Sequence, residues 1–260
     1  MRDTITEAIG SFVKERMRRG GFRTRWDDPL VGFADAADPL FARLKTAVRP
    51  SHAMPRDLLA GARTVIAWFL PFSRDIVFSN REGRLASREW AVAYIDTNRL
   101  ITEINEHLAE VLRERGFHAA VTPPTHNFDK EQLMSDWSHK HVAYIAGLGT
   151  FGMHHLLITD RGCCGRLGSM VTDAVIEPSE RAEGEYCLAK YNNSCRLCMR
   201  NCVVGALSDD GFDRHACYAL LLENATLHEK EGLADVCGKC SSVVPCSFEN
   251  PVKALIQRKG

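Results

Sequence analysis

The stretch Cys195 to Leu207, CRLCMRNCVVGAL, decides how the C-terminal third of the chain is read. Its three cysteines are separated first by two residues and then by three. Working outward, Cys187 lies upstream, and Cys217, Cys237, Cys240 and Cys246 lie downstream, so eight of the ten cysteines follow Tyr186. No signal peptide is expected at the N-terminus: Thr4 to Met17 is amphipathic and holds Glu7, Lys14 and Glu15, and no apolar stretch follows Arg18-Arg19. The expected location is therefore the reducing cytoplasm, where disulfides are rare and dense cysteine means metal, cluster or catalysis.

A 4Fe-4S cube needs one thiolate per iron. In two-cluster ferredoxins the last cysteine of the run crosses to the other cube. The x2-then-x3 spacing is the second half of such a run. The crossover rule assigns Cys187, Cys195, Cys198 and Cys246 to one cluster and Cys202, Cys217, Cys237 and Cys240 to the other. A pair of zinc sites is the rival reading, because Cys195-x2-Cys198 and Cys237-x2-Cys240 could each supply half of one. Two departures stand out. Seven residues separate Cys187 from Cys195 where two are usual, and Val203 and Ser247 stand where proline usually follows.

The rest of the chain reads as a mixed α/β (α+β) domain. Arg63 to Leu70, RTVIAWFL, is β-rich and ends at Pro71, so it is expected as a buried strand. Ser87 to Arg115 carries the longest helical stripe, closed by Gly116. Thr4-Ile5-Thr6-Glu7 reads as a capping box opening an N-terminal helix, and Asp38-Pro39 opens a short one. Phe22 to Asp38 is expected to be irregular, and Arg161 to Gly168 a glycine-rich turn between strands at Leu156 to Thr159 and Ser169 to Ile176. With 260 residues, 45% of them apolar and 25% charged, the composition is globular. Thirty-three basic residues balance thirty-three acidic ones, so no global field draws the chain to nucleic acid or membrane. The boundaries are set at 1–180 for the α/β domain and 181–260 for the cysteine-rich one.

Gly147-Leu148-Gly149-Thr150-Phe151-Gly152 spells G-x-G-x-x-G, but a dinucleotide site needs a strand before it and a helix after. Here a helix, Ser138 to Ala146, precedes and a β-like segment follows. The loop suits close approach of backbone to a large flat cofactor, since glycine has no Cβ, or a plain helix-to-strand turn. Cys163 and Cys164 lie outside the ladder and read as small buried hydrophobes. Among His139, His141, His154 and His155, the last two are best placed to line a pocket. Lys14, Arg16, Arg18, Arg19, Arg23 and Arg25 form a basic run read as a solvated helix end.

Four segments together, His141 to Thr159 (HVAYIAGLGTFGMHHLLIT), Gly162 to Asp173 (GCCGRLGSMVTD), Cys195 to Leu207 and Asp213 to Leu221 (DRHACYALL), resemble epoxyqueuosine reductase and its short relatives. The respiratory reductive dehalogenases are more distant cousins. The resemblance covers roughly residues 60 to 250. It implies a nitroreductase-like, cobalamin-binding α/β domain followed by a ferredoxin-like domain with two 4Fe-4S clusters. The implied activity is that of an oxidoreductase whose clusters reduce a bound cobalamin that acts on a substrate. An electron donor such as flavodoxin or ferredoxin is implied with it. On this reading the candidate cofactor-binding residues are Gly147, Gly149, Thr150, Phe151, Gly152, His154 and Gly168, and Trp90, Tyr94 and Asp96 fall at pocket positions. The implied catalytic acid is Asp136, although the family's usual D-x-x-P-x-x-E-R context is absent. The family's tRNA-holding helical repeats have no counterpart before Gly260, so tRNA epoxyqueuosine reduction is one alternative. Electron transfer to a corrinoid or other redox partner is another.

Overall fold

A computed structural model describes residues 1–123 and 128–257. The elements in chain order are α1 (Arg2–Arg19), β1 (Leu30–Asp35), α2 (Pro39–Ala47), α3 (Pro55–Leu58), β2 (Thr64–Pro71), α4 (Arg74–Ser79), α5 (Arg88–Arg113), β3 (Ala119–Val121), α6 (His139–Ile145), β4 (Gly149–Phe151), β5 (Leu157–Thr159) and β6 (Gly165–Thr172), followed by α7 (Leu188–Asn192), α8 (Leu197–Arg200), α9 (Arg214–Leu227) and α10 (Pro251–Gln257). The fold is a mixed α/β one, as the sequence pattern predicts.

Four strands form an antiparallel sheet in the order β1-β2-β6-β3. Every residue of β2 is buried, and its side chains divide with the two-residue period of a strand. Ile66, Trp68 and Leu70 enter one core with Ile5, Ile9 and Val13 of α1 and Leu100, Ile101, Ile104 and Leu108 of α5. Val65, Ala67 and Phe69 enter a second core with Phe41 and Leu44 of α2 and Val142 of α6. The sheet is thus sandwiched between helices, and its β2–β6 register runs from Thr64 opposite Thr172 to Pro71 opposite Gly165. Ser87 caps α5 by accepting from the Trp90 amide at 3.1 Å, and Asp38 caps α2 by accepting from the Leu40 amide at 2.9 Å.

Three expectations are corrected. The helix α1 begins at Arg2, so Thr4 to Glu7 lies inside it and forms no capping box. The segment expected to be irregular contains β1, where Gly32 lets the end of α6 approach: a Cβ there would sit 2.3 Å from the Ala146 carbonyl oxygen. The expected glycine turn ends early, because β6 already begins at Gly165. Cβ atoms at Gly165 and Gly168 would meet the Phe69 and Trp68 rings at 2.7 and 2.5 Å, so these glycines make room for large aromatics on the paired strand.

The cysteine-rich segment docks on the corner between α4 and α5. Asn80 donates to the Cys237 carbonyl at 2.8 Å, and the Asn224 side chain accepts from the Ala86 amide at 2.8 Å. Buried Lys239 donates to the carbonyls of Asn80 and Glu82 at 3.0 and 2.6 Å. On a second seam the Cys163 amide donates to the Cys246 carbonyl at 2.9 Å. Among the described residues, no helix is long and apolar enough to cross a membrane.

Candidate functional site

The ladder cysteines are presented mainly from turns. Cys187 precedes α7, Cys198 sits on α8, Cys217 sits on α9, and the rest lie between elements. Cys187, Cys195, Cys198 and Cys246 line one small cavity with Met153 and His154. Cys202, Cys217, Cys237 and Cys240 line the wall of a cavity of about 430 Å³. Burial, with Cys246, Cys187 and Cys195 close by, pushes the Cys198 thiol up to about 11. Burial, with Cys237 and Cys202 close by, does the same to Cys217, and burial also raises Cys237 and Cys240.

Cys246 differs. A hydrogen bond from Cys163 and a second from His154 outweigh burial and bring its pKa down to about 5, while hydrogen bonds to Cys164 and Cys246, with burial, hold Cys163 well above the usual thiol range. His154 Nε2 lies 3.4 Å from Cys246 Sγ. The sulfur of Cys163 joins them, the three ligand atoms all falling within 4.8 Å of one another. The Cys164 thiol bonds Cys163 and donates to the Ser241 carbonyl at 3.2 Å.

The 430 Å³ cavity separates the sheet from the cysteine segment. Tyr94 lines it from α5, and its hydroxyl donates to Asp235 at 2.6 Å. The Arg166 guanidinium lies 4.1 Å from the centre of the Tyr94 ring, and its Nε is buried without a hydrogen-bond partner among the described residues. Burial raises the Tyr94 pKa, with Arg166 opposing, so the phenol keeps its proton at neutral pH. A neighbouring cavity of about 720 Å³ shares Phe128, Lys140 and His155 with it and extends to His141, Phe151 and Arg214. Desolvation and Arg214 bring Lys140 down to about 8; desolvation and Lys140 bring His141 down to about 3, so it is neutral throughout the working range.

Of the glycine-loop residues, Phe151 and Gly152 line the larger cavity and His154 the smaller. Gly147, at φ +80°, and Gly149 are demanded by the chain's own backbone: Cβ atoms there would lie 2.4 Å from the Glu180 oxygen and 1.9 Å from the Ile158 oxygen. A Cβ at Gly152 would strike the His154 ring at 2.5 Å. Thr150 accepts from the Tyr186 amide at 2.8 Å, and Gly168 lies under Trp68. A helix precedes the motif and its second glycine opens β4, the reverse of a dinucleotide fingerprint.

Asp136 lies beside the larger cavity. Its carboxylate accepts from Ser51 at 2.6 Å and lies 3.4 Å from Arg49 Nε; its neighbours Ser135 and Trp137 line the cavity wall. Asp96 is structural, accepting from the amides of Arg23 and Thr24 at 2.8 and 3.0 Å. His139 is bonded to Ser169 at 2.9 Å and to the Pro123 carbonyl. Most of the basic run is neutralised: Lys14 pairs with Asp28, Arg16 with Glu103, Arg19 with Glu15 and Arg23 with Glu231. Sequence reasoning missed Lys140, Arg166, Asp235 and Arg214. Each is a single charge in an unremarkable context, and only tertiary structure brings them to adjoining cavities.

No protein-family model and no curated protein sequence matches the chain. Solved structures do. An epoxyqueuosine reductase superposes with a TM-score of 0.55 at 18% identity, over 93% of this chain and 66% of the other. The epoxyqueuosine reductase from Streptococcus thermophilus gives 0.53 at 16%, over 92% and 66%. A catabolic reductive dehalogenase gives 0.58 at 18%, over 88% of this chain and 31% of its own length. The likeness is one of fold, and the chain spans 66% of the length of these reductases.

Proposed function

We propose that the chain is a cytoplasmic iron–sulfur reductase carrying two 4Fe-4S clusters that serve a corrinoid held in the α/β cavity. The observation that carries this reading is the gathering of the eight ladder thiols into two sets of four, one of them in the wall of that cavity. Cys187, Cys195, Cys198 and Cys246 would hold one cube, and Cys202, Cys217, Cys237 and Cys240 the other. Four thiolates per cube match the coordination chemistry.

The cavity fits a large, flat cofactor. Its two lobes, about 720 and 430 Å³, share walls and together exceed the ~300–1,000 Å³ usual for a small-molecule site. Phe128, Lys140, His155 and Phe151 would hold such a group, and the buried, unpartnered Arg166 Nε marks a polar position left for a ligand. A bound corrinoid supplies a metal centre able to act as a strong nucleophile or radical partner. The protein's share is to enclose the site, orient the substrate and deliver a proton. Tyr94 suits proton delivery, because its hydroxyl reaches the cavity, Asp235 fixes its direction, and burial keeps it protonated.

Asp136 is the second reading of the proton source. Its neighbours line the cavity, and one of the structures sharing the fold, from Bacillus subtilis, is an epoxyqueuosine reductase with its catalytic aspartate loop swung out of the active site. The likeness to epoxyqueuosine reductases, one of them with a tRNA-Tyr stem loop, favours a reductase over a free-standing electron carrier fed by flavodoxin or ferredoxin. Anaerobic reconstitution followed by cobalamin titration tests the proposal. Brown absorption with cobalamin-dependent spectral change at micromolar concentration is expected; clusters without that change would leave the electron-carrier reading in first place.

A further inference from the structure

The thiol of Cys246 has company that no other ladder cysteine has among the described residues. His154 Nε2 faces its sulfur at 3.4 Å. The tautomer follows from the ring's other side, where the Leu156 amide donates to Nδ1 at 3.1 Å. A nitrogen that accepts an N–H bond carries no hydrogen, so in the neutral ring the hydrogen is on Nε2 and points at the sulfur. The ring has no freedom to turn away. It is buried, and Gly152 is the glycine that makes space for it. On the same sulfur, the Cys163 thiol is a second donor, from the turn whose amide already bonds the Cys246 carbonyl. His154 also lines both the small thiol cavity and the large one, so it stands between them.

We propose that His154, seconded by Cys163, is a positioning residue that tunes the Cys187–Cys195–Cys198–Cys246 cluster by donating a hydrogen bond to the Cys246 sulfur. The inference rests on the two-cluster reading above. The step concerned is a one-electron reduction: a low-potential one-electron donor protein loses an electron, the cube gains it, and no bond or proton is exchanged. The added charge spreads onto the ligand sulfurs, so a donor aimed at one of them stabilises the reduced cube more than the oxidised one and raises its potential. The cubes would then differ in potential, the one buttressed by His154 being the easier to reduce. The other cube, open to the cavity, has no side-chain donor of this kind among the described residues.

The test is an EPR-monitored redox titration of the reconstituted protein. In His154→Ala the ratio of reduced to oxidised cluster at a fixed ambient potential should fall about tenfold for one cube, equivalent to a 59 mV drop for a one-electron couple, with the other cluster unmoved. Cys163→Ala should give a smaller shift of the same sign, and Cys163→Ser, which keeps a donor, should restore the potential. Unchanged potentials in variants that keep eight irons, or equal shifts in both clusters, would overturn the proposal. So would loss of one cube in His154→Ala, which would make His154 a ligand. Wild-type protein that binds zinc, or no iron, would instead refute the two-cluster reading beneath it.

Discussion

The two sets of thiols lie on the same short segment yet live in different surroundings. The Cys202 set opens onto the large cavity and faces Tyr94, Arg166 and Lys140. The Cys246 set lines a small cavity and is braced by side chains from the α/β body, His154 and Cys163. On the two-cluster reading the cavity-side set would be placed to deliver electrons and the other to hold them, with the sheet domain shaping the second set through His154 and Cys163.

The most severe way to break the comparison is to remove a ligand that the two sets would compete for. Cys202→Ala should cost the cavity-side cube, taking iron from about eight to about four per chain, while the signal of the Cys195–Cys198 cube survives. Loss of the other cube would reverse the assignment of sets to cavities. Next in size is the proton. Tyr94→Phe should leave iron content and both potentials intact while turnover falls about 10²-fold or more. Asp136→Asn, made alongside it, should have the smaller effect; the opposite order would hand the role to Asp136.

A core cut separates packing from chemistry. Ile104→Ala on α5 removes a fully buried side chain from beneath the sheet and should destabilise the fold by about 2–5 kcal/mol, measured as a lower denaturant midpoint, without moving either cluster's potential. The smallest expected effect concerns Lys140. Its folded pKa of about 8 lies below the usual 10.5. Between those pH values the unfolded chain binds a proton that the folded chain has released, so this group's contribution to stability grows as pH rises through the window and is lost as pH falls back to 8. The wild-type minus Lys140→Met difference in unfolding free energy should therefore rise across that window by at most about 1.4 kcal/mol per pH unit; a flat difference would show the ammonium to be solvated.

Legibility followed the strength of local pattern. The unbroken apolar run of β2 and the long stripe of α5 announce themselves, because burial on both faces and on one face leave distinct periods. β1 and the start of β6 do not: Gly32 falls in a segment that reads as irregular, and Gly165 and Gly168 read as turn residues, while they in fact give steric relief to Ala146, Phe69 and Trp68. The glycine motif misleads in a similar way: Gly147 and Gly149 accommodate the chain's own carbonyls. The cavity's charges are invisible because Arg166, Asp235, Lys140 and Arg214 come from four separate stretches and acquire meaning only when burial and neighbours act on them. His154 stands out in the sequence for its position after the loop, but its bond to Cys246 spans ninety-two residues, a separation no local pattern encodes.

Lys239 sits between Cys237 and Cys240, buried, with its ammonium fastened to the carbonyls of Asn80 and Glu82. The loop that carries these two thiols is thus clasped to a corner of a different part of the chain. On the two-cluster reading, iron uptake by this loop would wait on the formation of the α4–α5 corner, and iron content would serve as a gauge of folding quality.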